Sequence, residues 1–503
     1  MLVSLPMETV NCQICCYSAS TRREESRDVV VPDTMPDVGT VLSTTGTAVI
    51  RGKDVSAGRV RIEAAVPVRV AYLPEEGGQP CCLETELSFY CSLEDPSIPE
   101  DSVCVSRLRL LRLQSRLLNP RKLAVEGELL VEAACYEPGE LSMPGAPEDG
   151  EAGVHAKLEP VRLAVSCAVT EKTFAVLDEF ELPEGEAPAA LLLAESVALK
   201  CEELRTVGTK LIVRGSAETR LLYRREDGSV GGTSITTSFS QVVEPETLPE
   251  GAEVDASLLL SGVFVTLSEG DGVSGSLELH LSAQVRVTEQ RTLRCLTDAY
   301  SNRYALSPTT EEKTVCASER PVTLRTTVHE RLNAAQEVSE ALQAWVGVGA
   351  ATAEPEGLRV PVSVSWYYLT PDGSLCADRA TVEARFEEAL EPGQRLELRS
   401  VAPTELSLRP VEGGVELHLT LEAAALLISE QTIRVLTALE YDESAPRDPG
   451  EQPALVLLRA DSGDDLWALA RENCSTVEAI REANGLDAAA GEWSRLILIP
   501  RVC

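Results

Sequence analysis

Apolar and polar residues alternate along most of this chain. In residues 59–63 and 66–70 every second side chain is apolar, which is the period of a β-strand that buries one face. Clusters of glycine, proline, aspartate and glutamate separate such stretches about every ten residues, as in proteins built of short strands. The pattern therefore predicts a mainly β chain whose antiparallel strands form sandwiches or barrels.

The same pattern occurs three times. Strand pairs end at Tyr72, Tyr223 and Tyr368, and these tyrosines are 151 and 145 residues apart. Each tyrosine is followed by a turn, a strand with a phenylalanine and then a proline, in the pairs Phe89 and Pro96, Phe239 and Pro245, and Phe386 and Pro392. A period of this length is the size of a domain and far exceeds that of a solenoid repeat. We therefore predict three tandem β repeats, at residues 29–180, 181–305 and 325–445.

The later part of the unit also recurs. Residues 278–281 match residues 416–419, so that His280 and His418 occupy the same position in two copies of one strand. Similar segments then begin at residues 170, 288 and 429, and we expect these segments to close the three repeats.

Four segments depart from the alternating pattern. Residues 1–28 are expected to be irregular, and residues 137–160, rich in glycine, proline and glutamate, are expected to form a solvated loop in the first repeat. Residues 334–344 are compatible with a helix. Residues 446–453 form a polar, proline-rich linker to the last segment of the chain.

The last segment, residues 454–503, changes from the strand period to the helical one. An apolar strand at residues 454–458 precedes Leu466, Trp467 and Leu469, which share one face of a helix. Ser475, with a glutamate three residues later, predicts a capped second helix, and Asn484-Gly485 predicts its end. A closing strand follows at residues 496–499. The predicted order is strand, helix, helix, strand.

This segment resembles the LysM module in Gly463-Asp464-Asp465, Leu466-Trp467, Asn484-Gly485-Leu486 and Leu498-Ile499-Pro500. LysM modules bind glycans that contain N-acetylglucosamine, in a shallow groove between two loops. The resemblance implies a binding groove with seven members: Asp461, Ser462, Gly463, Asp464, Asn484, Gly485 and Leu486. Residues 490–494 depart from the family, which usually has a Pro-Gly turn there. For Trp467, a role as packing anchor outweighs direct stacking on a sugar.

The repeats resemble SPOCS domains, through Pro32-Asp33, Pro36-Asp37-Val38-Gly39, the strand pair that ends at Tyr72, and residues 118–123. SPOCS repeats followed by one LysM module are similar to the SipL type of spore-coat morphogenesis proteins of clostridia. The fold expected from this resemblance is three tandem antiparallel β-sandwich or barrel-like repeats followed by a small α/β (βααβ) LysM module.

The resemblance also implies a function. The expected protein is a non-enzymatic scaffold of endospore formation, made in the mother-cell cytoplasm and ending at the forespore surface in the spore coat. Its implied partner is the morphogenetic ATPase of the coat's basement layer. Behind three repeats of cytoplasmic character, the LysM groove is interpreted as a docking surface for this protein partner. The alternative is a protein that binds peptidoglycan glycan in the cell wall or the spore cortex through the same groove.

Charge and cysteine content bear on the partner and the compartment. The chain carries 45 basic and 80 acidic residues, a net charge of −35, which disfavours nucleic acid and anionic membrane surfaces as partners. No signal peptide and no membrane-spanning segment are expected. The 15 cysteines are odd in number and include adjacent pairs, so reduced thiols in a cytoplasm are expected.

Residues for catalysis are sparse. The chain has four histidines, and it contains no nucleotide-binding glycine loop and no zinc-protease or serine-hydrolase motif. Cys12 and Cys15 have the spacing of zinc ligands, but no second close pair is evident. Carboxylates are abundant enough for glycoside cleavage, whereas four tryptophans argue against an aromatic-lined cleft. No catalytic residue, metal or cofactor is predicted.

Overall fold

The structure, a computed structural model, describes residues 1–147, 153–182, 187–268, 273–446, 453–461, 464–486 and 494–502. These residues form 22 strands and two short helices. Every pairing between named strands is antiparallel. The predicted mainly β class with antiparallel sheets is therefore confirmed.

The first seven strands, which we call set one, form two sheets. Their bounds are β1 Met7–Val30, β2 Val38–Gly46, β3 Val49–Ser56, β4 Arg59–Pro74, β5 Cys81–Glu94, β6 Val103–Asn119 and β7 Lys122–Pro144. The shorter sheet has the order β2-β4-β3, with β5 also paired to β4. The longer sheet has the order β1-β7-β6, so that the opening strand pairs with the last one.

Set two and set three have a closely similar order. Set two comprises β8 Val154–Glu181, β9 Ala189–Val207, β10 Lys210–Arg225, β11 Val230–Val243, β12 Glu253–Leu267 and β13 Ser274–Ser301. Set three comprises β14 Tyr304–Asn333, β15 Glu340–Val348, β16 Thr352–Glu354, β17 Gly357–Leu369, β18 Leu375–Glu387, β19 Gln394–Val411 and β20 Gly414–Pro446. In both sets the opening strand again pairs with the last one, β8 with β13 and β14 with β20.

Residues 7–28 of the segment expected to be irregular lie in a strand, which corrects the prediction from the sequence. The strand β1 pairs with β7 from Met7 to Val30. Its inward face carries small or polar side chains, and Cys16, Tyr17 and Ala19 pack against the core of set one. A face of this composition produces little apolar alternation in the sequence. Five other strands separate β1 from β7, so no short turn between them indicates that they pair.

The ends of the long sheets also differ from the expected segments. Residues 170–173, expected to close the first repeat, lie in β8, which opens set two and pairs with β13. Residues 288 and 429 do lie in closing strands, β13 and β20. Opening and closing strands resemble each other because they pair side by side in one sheet and bury the same kind of face.

Two local predictions also need correction. The helix considered over residues 334–344 is absent, because residues 340–348 form β15 and pair with β17. Burial of Trp345 between the sets holds this segment extended. The loop expected over residues 137–160 is shorter, since β7 continues to Pro144 and β8 starts at Val154; residues 148–152 lie outside the described part.

Each set has a core between its two sheets, and the repeated tyrosine lies in it. Tyr72, Tyr223 and Tyr368 are fully buried near the end of the central strand of each shorter sheet. The Tyr72 hydroxyl donates to the Pro36 carbonyl at 3.0 Å, and that of Tyr368 donates to Asp378 at 2.8 Å. The tyrosines identified from the sequence repeat are thus packing anchors.

A further apolar cluster, the hub, joins all three sets. The residue before each repeated tyrosine points into it, namely Ala71, Leu222 and Tyr367, and all three are fully buried. Neighbouring side chains of a strand point to opposite faces of the sheet. Each central strand therefore packs its tyrosine into the core of its own set and the preceding residue into the hub. The hub therefore ties the three sets together through one position of the repeat.

The hydroxyl of Tyr367 places an unfavourable polar group in the hub. Among the described residues its buried hydroxyl has no hydrogen-bond partner, and burial raises the pKa of this phenol. An unsatisfied buried polar group costs about 1–3 kcal/mol. We expect Tyr367→Phe to raise the free energy of unfolding by about 1 kcal/mol, measured by urea denaturation. The matched control is Tyr368→Phe, which removes a satisfied hydroxyl and should destabilise; a loss of stability in Tyr367→Phe would contradict the expectation.

The C-terminal segment contains β21 Leu455–Asp461, α1 Leu466–Glu472, α2 Val477–Asn484 and β22 Ser494–Pro500, with β21 paired to β22. This is the predicted order. The cap of α2 lies one residue later than predicted, since the Thr476 hydroxyl accepts from the Ala479 amide at 3.0 Å. Ser475 instead donates its hydroxyl proton to the Pro500 carbonyl and links the helix start to β22.

Candidate functional site

The predicted groove residues of the first loop are Asp461, Ser462, Gly463 and Asp464. Asp461 ends β21, its amide donates to the Asp464 carboxylate at 2.9 Å, and the Asp464 amide donates to the Asp461 carbonyl at 3.0 Å. These reciprocal bonds join the two aspartates, and both side chains are exposed. Ser462 and Gly463 lie outside the described residues.

The predicted groove residues of the second loop hold the segment together. The Asn484 side-chain amide donates to the carbonyls of Ile480 and Leu498 at 2.7 and 2.5 Å, and its oxygen accepts from the Leu498 amide at 2.6 Å. Gly485 ends α2 with a φ of 58°, a conformation that favours glycine. Leu486 is buried. These three residues therefore serve the packing of α2 against β22.

Trp467 lies on another side and fastens the segment to set two. Its indole nitrogen donates to the Asp298 carboxylate at 2.8 Å, and its ring meets the Tyr300 ring edge-on at 4.8 Å between centroids. Arg471 pairs with the same Asp298 at 3.1 Å. Tyr300 is almost fully buried among Ala460, Ile480, Ile497 and Ile499, and its hydroxyl donates to the Ser475 carbonyl at 2.8 Å.

The sequence alone did not identify Asp298 and Tyr300 as the residues that attach the C-terminal segment to set two. Both residues end β13, far from α1 along the chain. One chemical feature of the sequence does point to such a contact. Trp467 lies on a short helix, and its indole N–H group needs a hydrogen-bond acceptor when the side chain is buried.

The outer face of the β21–β22 sheet carries three exposed leucines, with the exposed Arg459 opposite one of them, Leu496. Leu455, Leu457 and Leu496 are 51%, 56% and 60% exposed, respectively. They lie on the face opposite Ala460, Ile497 and Ile499, which point into the segment's core. We call these three leucines the leucine face. A group of exposed leucines on one small sheet is a surface that commonly contacts another molecule.

A charged network joins the three sets on the side of the long sheets. Arg399 of set three donates to Asp255 of set two at 2.8 Å and to Glu397. Arg107 of set one reaches the same Glu397 at 2.9 Å, and Arg286 of set two pairs with Glu319 of set three at 2.7 Å. These side chains line a cavity of about 990 Å³ between the long sheets.

The network sets the charge state of its members. Burial by itself raises the pKa of Glu397, but Arg399 and Arg107 outweigh burial and lower it to about 2. Burial likewise lowers the pKa of Arg399, and the carboxylates of Asp255 and Glu397 more than compensate and raise it. Glu397 and Arg399 are therefore held in their charged forms and engage each other, which is the arrangement of an interface between units.

The cysteines of the described residues are all free thiols. Cys12 and Cys15, which have zinc-ligand spacing, both lie in β1 and line the cavity. Burial raises the pKa of both thiols, so the reactive thiolate form is disfavoured. Within the described residues no group of three or more histidine, cysteine or acidic side chains has the geometry to hold a metal ion.

Comparisons with known proteins return no match, whether with family models, with curated proteins or with solved structures. The two helices in the described residues have seven and eight residues, and neither could span a membrane.

Proposed function

We propose that this chain is a non-enzymatic structural protein of endospore formation that links coat assembly to the forespore surface. Its three sets would be tandem copies of a SPOCS-like β-sandwich, and residues 454–503 a LysM module that acts as the docking element. The observation that carries the proposal is the leucine face, Leu455, Leu457 and Leu496, on a module whose opposite side is fastened to set two. Such a surface suits a protein partner.

The attachment gives the docking element a fixed direction. Trp467, Arg471 and Ser475 all bond to residues at the end of β13, so the module is held at more than one point. Rigid presentation reduces the ordering cost of binding. Several such molecules on one layer would add their contacts through effective concentration. The partner we propose is the morphogenetic ATPase that forms the coat's basement layer.

The geometry of the second loop favours this proposal over glycan binding. Asn484 uses its amide on Ile480 and Leu498, and Leu486 is buried, so neither offers a free group to a sugar. Around Arg399 the carboxylates of Asp255 and Glu397 are engaged with arginines, which makes them poor candidates for the acid and base of a hydrolase. Peptidoglycan binding is retained as the competing outcome of the test.

The proposal predicts that Leu457→Asp in the full chain weakens binding to the purified basement-layer ATPase about tenfold. Burial of a leucine at an interface contributes roughly 1.5–3 kcal/mol, and an aspartate there adds a desolvation cost. Binding is measured by co-sedimentation with the polymerised ATPase, and in parallel with purified peptidoglycan sacculi.

The matched control is Leu177→Asp, the same change at an exposed leucine of β8, and it should bind like the unmodified chain. Retention on sacculi without binding to the ATPase would replace the proposal by the glycan-binding function. Equal weakening by Leu177→Asp would show that the leucine face is not the docking surface.

A further inference from the structure

Two histidines face each other on the outer surface of set three. His329 of β14 and His418 of β20 are directly opposed in the strand register. Their Nδ1 atoms are 3.1 Å apart, and their ring centroids are 4.3 Å apart. Both side chains reach solvent, whereas the neighbouring Val328 and Leu419 point into the core. The pair thus joins the edge strand β14 to the central strand β20 of the long sheet and is open to small solutes.

The separation of the two nitrogens suits a shared metal ion. Imidazole nitrogens bind zinc at about 2.0–2.1 Å, so two of them on one ion lie about 3.3 Å apart at a tetrahedral angle and about 2.9 Å apart at a right angle. The observed 3.1 Å lies between these values. In the absence of metal, the same distance permits one ring to donate its Nδ1–H to the other.

The far side of His418 has the partner that metal-binding histidines usually have. Its Nε2 lies 3.5 Å from a carboxylate oxygen of Glu405, and the Thr420 hydroxyl donates to that oxygen at 3.0 Å. The bonds from Thr420 and His418 lower the pKa of Glu405, which keeps it an acceptor. A carboxylate on the second nitrogen holds the ring with Nδ1 free for a cation.

The equivalent place in set two provides an internal comparison. His280 of β13 occupies the position of His418, but the residue opposite it on β8 is Ala175. His280 pairs with Glu278 at 2.7 Å and packs edge-on against Phe264. One histidine of the pair is therefore common to two copies, and the second occurs only in set three.

We propose that His329 and His418 form a binding site for a divalent transition-metal ion of the zinc, nickel or copper class. The two Nδ1 atoms would supply two ligands, Glu405 would orient His418, and water or a donor from a partner would complete the coordination. The site is independent of the leucine face and of the proposed coat function.

The test uses the full chain with ¹⁵N-labelled histidine and a metal buffer that holds the concentration of free Zn²⁺ constant, so that thiols do not deplete it. With four histidines, each imidazole is assigned by single substitution. We expect the ring signals of His329 and His418 to shift together and to saturate at one ion per chain. Those of His155 and His280 should stay in place.

Three variants make the result decisive. His329→Gln should abolish the response of His418, and Glu405→Gln should weaken Zn²⁺ binding about tenfold, as expected for loss of a carboxylate behind a ligand. His280→Gln is the matched control and should leave binding unchanged. Unshifted signals of His329 and His418 in excess free Zn²⁺ would overturn the proposal, as would an undiminished response of His418 in His329→Gln.

Discussion

Replacement of Arg399 by alanine is expected to lower the free energy of unfolding by about 3–5 kcal/mol, the range for removing one partner of a buried ion pair. The Arg399 side chain is only 7% exposed, and it contacts both Asp255 and Glu397. Without it, Asp255 and Glu397 remain in the interface between sets with one cation fewer. The measurement is urea denaturation of the full chain at neutral pH, followed by fluorescence and by circular dichroism.

The matched control is Arg395→Ala, four residues earlier on the same strand. Arg395 is 53% exposed and also approaches Glu397, at 3.5 Å, so it tests charge without burial. Exposed ion pairs contribute at most about 1 kcal/mol, and the loss of stability in this variant should stay below that. Equal losses in the two variants would show that burial of the network is unimportant.

The same network makes an acid-dependent contribution to stability. Glu397 has a pKa lowered to about 2 from an ordinary 4.5, so its stabilising effect is complete above pH 4.5 and is lost as pH falls toward 2. The variant Arg399→Ala lacks a main cause of the lowered pKa of Glu397, and burial then acts to raise that pKa. The stability difference between the unmodified chain and Arg399→Ala should therefore shrink over this pH range.

Replacement of Tyr300 by alanine is the second change with a large expected effect. Tyr300 packs among the apolar residues of the C-terminal segment, meets Trp467 edge-on, and donates to the Ser475 carbonyl. Truncation of a buried aromatic side chain costs about 3–5 kcal/mol. We expect the amide hydrogens of α1 and α2 to exchange faster, by up to the factor that corresponds to this loss, because fewer contacts then hold the segment closed on set two.

Two variants calibrate this result. Tyr300→Phe keeps the ring and removes only the bond to Ser475, and should cost about 1 kcal/mol. Tyr90→Ala makes the same truncation at an exposed tyrosine of β5 and should leave exchange in α1 and α2 unchanged. Unaltered exchange in Tyr300→Ala would mean that the C-terminal segment is stable without its seat on set two.

The sequence pattern anticipated the features that depend on local chemistry. Alternation identified the central strands, the threefold repeat identified Tyr72, Tyr223 and Tyr368 as equivalent, and helix signals located α1 and α2. Each of these features depends on which side chains share a face or on how a helix ends. For the groove, the sequence located the loops, but the hydrogen bonds of Asn484 and the burial of Leu486 became evident only with the neighbouring strand in place.

What the sequence by itself determined is therefore the class of fold, the period of the repeat and the elements of the last segment. Only the tertiary structure decided which strands pair over long distances, as β1 does with β7, and which charges meet. Arg107 and Glu397 are 290 residues apart in the chain and 2.9 Å apart in space. The physical reason is that periodicity specifies which face of a strand is buried, whereas the partner of that face is selected by packing among all three sets.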